Sequence, residues 1–148
     1  MKYALIFILT AFTFIACNPT KHSAELIGMN SQLNNSVWQL IQLNNAPITT
    51  TYEKKPYLEF LDSNKVSGFL GCNIMGGNYG LSKSSGIYFA DTWSTKMSCE
   101  ALDLETLFSS ALSKVTNYKI SHDTLFLQDK EKIPLATFLS RADLEQVK

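Results

Sequence analysis

Thiols, carboxylates and one imidazole are the side chains of this sequence that could do chemistry. Cys72 lies in the run Gly71-Cys72-Asn73, and Cys99 closes the run Ser94-Thr95-Lys96-Met97-Ser98-Cys99. A redox centre of the Cys-x-x-Cys kind is excluded by their spacing. A metal site lacks ligands, because His22 and His122 are the only histidines. His122 is also the one candidate base in the folded part for a serine triad. It stands beside Asp123 among turn-forming residues, where a solvated imidazole is the structural reading. Glu59, Asp91 and Glu105 offer the acid and base that glycoside cleavage needs. Nothing in their spacing sets two of them at a working separation, and exposed charge is the simpler reading. G-x-S-x-G, Walker and G-x-G-x-x-G fingerprints are absent.

The densest local constraint is the stretch 66–79, where Gly68, Gly71, Gly76 and Gly77 surround Cys72 and Asn73. Glycine there lets a strand bend or another backbone come close. Asn73 is expected to bond exposed backbone at that point. The functional alternative is a binding surface made from Gly71, Asn73, Gly77, Tyr79, Thr95 and Met97.

The elements that must position these residues are mostly strands. Residues 37–43, 57–61, 65–70, 74–81 and 87–93 are rich in β-formers and separated by turn residues. Trp38 and Leu40 share a face, and Trp38 reads as core. Ile87, Phe89 and Asp91 are expected on one face of their strand, with Tyr88, Ala90 and Thr92 on the other. Residues 48–55 could be an edge strand or a loop. At 100–115 the period changes: Leu104, Leu107, Phe108, Ala111, Leu112 and Val115 form one helical stripe, with Ser98 as N-cap and Asn117 as terminator. Strands at 118–120, 124–128 and 135–139 follow. Hairpins, one helix and more hairpins predict an α+β fold, mainly a curved, barrel-like antiparallel sheet with the helix laid over it.

The N-terminus reads as an address. Lys2 precedes an apolar run over 4–15 that ends at Ala16-Cys17, too short for a membrane-spanning helix and built like a secretory signal. It resembles the lipobox of bacterial lipoproteins, with Phe14 where leucine is usual. That resemblance implies a lipid-bearing Cys17 as the mature N-terminus, and Asn18 after it implies the outer membrane. Residues 18–35 read as a polar tether, 36–141 as the folded domain and 142–148 as a charged tail. With Cys17 lipidated, Cys72 and Cys99 are an even pair in an exported protein, which suits a disulfide; two buried free thiols or a pair of metal ligands are the alternatives. Of 148 residues, 45% are hydrophobic, enough for a core, and basic and acidic residues balance at 13 each. No net field draws phosphates in, so nucleic acid is not an expected partner.

The folded part resembles the META domain family, which includes HslJ-type heat-shock lipoproteins. The resemblance runs through Trp38-Gln39-Leu40, Leu58-Glu59-Phe60, Val66-Ser67-Gly68-Phe69, Gly71-Cys72-Asn73, Gly77 with Tyr79, and Ser94 to Cys99. It continues with Glu105 and Phe108, then Tyr118, Ile120, Leu125 and Leu127. Ile74 stands where the family often has a basic residue. The resemblance implies a non-enzymatic protein, without cofactor or catalytic residue, tied to envelope integrity, heat stress or antibiotic tolerance. The expectation is therefore a monomer anchored by lipid in the bacterial envelope, at the outer membrane facing the periplasm, with an envelope protein or cell-wall component as partner. The rival readings are a small cell-wall hydrolase or isomerase using carboxylates, and a proteinaceous inhibitor of an exported hydrolase presenting the loop 80–86.

Overall fold

A computed structural model describes residues 32–49 and 54–141. The signal segment, Cys17, residues 18–31 of the tether and the tail 142–148 lie outside the described residues, as do residues 50–53. Alternation along the strands puts one residue in two into a common interior. In β1 (Ser36–Leu43) this interior row is Trp38, Leu40 and Leu43. The step from Leu40 to Leu43 is three positions instead of two because Ile41 is an extra residue: Leu40 pairs with Phe138 and Gln42 with Thr137. The Trp38 indole is buried, and its Nε1 has no hydrogen-bond partner, so its packing must offset that desolvation.

The short β2 (Ala46–Pro47) folds back on the end of β1. Then come β3 (Tyr57–Leu61), a 3-10 turn at Asp62–Asn64, β4 (Lys65–Phe69), β5 (Ile74–Ser82) and β6 (Gly86–Ser94). After helix α1 (Leu102–Leu112) follow β7 (Asn117–Ser121), β8 (Thr124–Gln128) and β9 (Pro134–Ser140). Neighbours pair antiparallel in the order β2-β1-β3-β4-β5-β6-β7-β8-β9, and β9 pairs back onto β1. The sheet is a ring, which removes most of its open edge. Its thinnest seam lies between β6 and β7, where the ladder has one pair, Gly86 opposite Asn117.

Helix α1 packs on β9 and β1. It turns Phe108, Ala111 and Leu112 inward, and the Phe108 ring meets Phe138 at 5.9 Å. It is shorter than its periodicity suggests. The N-cap is Ala101 with no side-chain cap, not Ser98, because 94–99 is held extended against β5 and tied by Cys99. Leu107 leaves the stripe and is exposed. Asn117 is no terminator: Lys114 and Val115 tighten the exit with bonds to Ala111 and Leu112 carbonyls, and Asn117 opens β7.

Residues 32–35, read above as tether, are packed. Leu33 is in the core, the Asn35 amide donates to the Phe60 carbonyl at 2.7 Å, and the Tyr79 hydroxyl donates to Asn34 Oδ1. A leucine with no exposed surface holds that short stretch to the barrel.

The faces of β6 also differ from simple alternation. Asn78 pairs with Ala90 and Gly76 with Trp93, so Asp91 and Thr92 together face the single Gly77. This is a β-bulge on β6, with Asp91 at φ 50°. Beyond it the phase is reversed. Trp93, not Thr92, joins Tyr88 and Ala90 on the outer face. Gly77 answers the bulge, because a Cβ there would stand 3.0 Å from both the Ala90 carbonyl and Thr92 Cγ2.

Candidate functional site

Where β4 ends, the chain passes through Gly71-Cys72-Asn73 before β5 begins. Gly71 has φ +118°, a conformation that side chains rarely adopt, and its α-carbon faces Leu104 of the helix. That turn directs Asn73 inward, where it is 1% exposed. Its Oδ1 accepts from the Thr95 hydroxyl at 2.8 Å and the Met97 amide at 2.7 Å. Its Nδ2 donates to the Met97 carbonyl at 3.1 Å and to Glu105 Oε1 at 3.1 Å. The other Glu105 oxygen accepts from the Asn73 amide nitrogen at 2.7 Å. A primary amide has two donor protons and two acceptor lone pairs. All four are used.

The extended segment 94–99 is the second half of this node. Thr95 donates its amide to the Ile74 carbonyl at 3.0 Å, and its hydroxyl accepts from the Ile74 amide at 3.2 Å. Cys99 at its end is bonded to Cys72, with α-carbons 5.9 Å apart. The free-thiol and metal-ligand alternatives for this pair are thereby removed. Gly71, Cys72, Asn73, Thr95, Met97, Cys99 and Glu105 thus form one cluster joining the β4–β5 turn, the segment after β6 and the first turn of α1. Both Thr95 and Met97 are exposed residues, yet Thr95 turns its hydroxyl to Asn73 and Met97 bonds Asn73 through its amide and carbonyl.

Gly77 and Tyr79 belong elsewhere. Gly77 faces the β6 bulge, and Tyr79 is 4% exposed, edge-on to Phe60 with ring centroids 5.0 Å apart. Burial raises the Tyr79 pKa above the ordinary phenol value, and the Asp62 carboxylate adds to the rise. Burial likewise raises that of Tyr118, with Tyr79 contributing. The six motif residues therefore do not form one surface.

Among the carboxylates, Glu59 is half-buried on β3, Asp91 accepts from Asn78 Nδ2 at 2.9 Å, and Glu105 serves Asn73. His122 is exposed with φ 56°, its ring 3.4 Å from the Ser121 hydroxyl. Among the described residues, no three His, Cys, Asp or Glu side chains gather as metal ligands. Glu105 is the member of the node that spacing could not find. It lies 32 residues from Asn73, and only its place on the helix face next to Phe108 signals burial.

Among the described residues, the site thus sits on a ring-like antiparallel sheet packed by helix α1 and pinned by a disulfide and a buried Asn–Glu pair. The META domain family model matches residues 31–142, and the chain belongs to that family. No curated protein matches. Three solved structures share the fold. A protein solved by NMR has 25% identity over 77% of this chain and 95% of its own, with TM-score 0.61. A protein from Burkholderia xenovorans, also solved by NMR, has 20% identity over 91% and 98%, with TM-score 0.59. A DUF4847 family protein from Bacteroides vulgatus has 13% identity over 76% and 96%, with TM-score 0.58.

Proposed function

We propose that this META-family chain is a non-enzymatic lipoprotein of the bacterial envelope, held by lipid on Cys17 at the outer membrane, facing the periplasm. It acts there as a monomeric binding module for an envelope component and supports envelope integrity under stress. The observation that carries the non-enzymatic reading is the saturation of Asn73 and the engagement of both Glu105 oxygens within the fold. The Asn73 amide has no hydrogen-bonding position left for a substrate, and both Glu105 oxygens are already engaged inside the fold. The Cys72–Cys99 bond supports export, since such bonds persist in oxidising compartments. Cys17 at the end of an apolar run supports the anchor.

The test is the mass of the N-terminal peptide, with envelope fractionation of the full-length chain in a bacterial host. A peptide that begins at Cys17 and carries acyl chains, recovered in the outer-membrane fraction, is expected. An unmodified Cys17 in the soluble periplasm would overturn the anchored reading.

A further inference from the structure

The outer face of β5 carries a feature that the scaffold does not need. Gly76, Asn78 and Gly80 alternate onto that face. Cross-strand partners bring the Trp93 indole against Gly76 and the Tyr88 phenol against Gly80, where an added Cβ would stand 2.5 Å and 2.2 Å from the respective rings. Each ring rests on bare backbone, yet Trp93 stays 59% and Tyr88 57% exposed. Between them, Asn78 takes a hydrogen bond from Lys65 Nζ at 2.6 Å and gives one to Asp91 Oδ2 at 2.9 Å. The bulge at Asp91 is what aims Trp93 to this side, and it holds a non-glycine residue at positive φ, a strain of about 1–2 kcal/mol.

We infer that this aromatic–polar–aromatic platform is a glycan-binding site, taking a short neutral oligosaccharide across Trp93, Asn78 and Tyr88. The inference rests on the reading of the protein as an envelope-binding module and names its ligand class. The backbone of β5 is paired on both edges, with β4 and β6, so a peptide cannot add here as a strand; a ligand must lie flat on side chains. The C–H face of a pyranose stacks on the negative face of an aromatic ring. Its hydroxyls can donate to Asp91 and accept from Lys65. Lys65 and Asp91 are both tied to Asn78 and their charges offset, which suits a neutral polyol over an ion. Gly76 and Gly80 are four residues apart, roughly 13 Å along a strand, which is room for a short oligosaccharide. The shallow cleft beside Trp93, about 460 Å³, includes Ser67 as a further hydroxyl.

The chain has two tryptophans, and Trp38 is buried, so fluorescence reads the platform. Full-length protein titrated with the β-1,4-linked N-acetylglucosamine hexamer should give a saturable blue shift. Trp93→Phe should remove the signal, and Tyr88→Ala should raise the half-saturating concentration about tenfold, with far-UV dichroism and the urea midpoint unchanged in both. Co-sedimentation with purified sacculi, released by the free hexamer, is expected; capture by anionic lipopolysaccharide vesicles and not by sacculi would point to an ionic ligand and overturn the proposal. No saturable shift, an equal shift in Trp93→Phe, or a response to an apolar peptide and not to the sugar would overturn the proposal. A lipid-bearing chain with a silent Trp93 sinks the glycan site alone. A glycan-binding chain without lipid sinks the anchor alone.

Discussion

Asn73 could not be exchanged for a residue of similar size without loss, because its amide is matched at every position. Asn73→Ala strips Met97 of both a donor and an acceptor and leaves Glu105 Oε1 facing an apolar methyl. Each buried group left unmatched costs about 1–3 kcal/mol. The expected destabilisation is about 3 kcal/mol, read as a lower urea midpoint. A loss below about 0.5 kcal/mol would show that water replaces the amide. The importance of this residue was legible in the sequence, since only a constrained turn explains so many glycines beside one asparagine. Its partner was not, because a side-chain pair between a turn and a helix has no period to betray it. Glu105 stood in the sequence as a candidate acid or base and as part of the META resemblance, with nothing to pair it with Asn73.

At the scale of elements, the disulfide and the asparagine do different work on the segment 94–99. The hydrogen bonds fix its position, while the bond between residues 27 apart constrains the unfolded chain. Replacing both Cys72 and Cys99 by serine should cost roughly 3.5 kcal/mol in the chain-entropy model and leave far-UV dichroism unchanged. Loss of folded signal in dilute buffer would mean that the bond also holds the segment in place. Strand and helix identities were legible from periods of two and 3.6. The phases were not. Each bulge inserts one residue and reverses the faces beyond it, so Leu43 enters the core one residue late and Trp93 takes the face expected for Thr92. The helix start moved for a similar reason, since Cys99 is committed to the turn before β5.

For the whole molecule, closure of the ring depends on β1 meeting β9, a pairing no local signal announces. The hydrophobic pattern indicated a curved sheet with a helix over it, and the structure has that form because the nine strands among the described residues bury one shared interior. Within it, Tyr79 and Tyr118 have pKa values raised by burial. A raised pKa means that the folded state holds its proton where the unfolded chain, near pH 10, has released it. Their contribution is complete below that pH and declines as pH rises towards the folded-state values. Chemical denaturation between pH 8 and 11.5 should therefore show a falling midpoint above about pH 10. Tyr79→Phe should flatten part of that fall, and an unchanged slope would place its cause elsewhere.

The pairing of Trp38 with Ser140 puts both ends of the described chain on adjacent strands. β1 is bonded along one edge to β3 and along the other to β9. A pull entering from the N-terminal side along the axis of β1 therefore meets two ladders at once. It must shear them together rather than peel them open rung by rung.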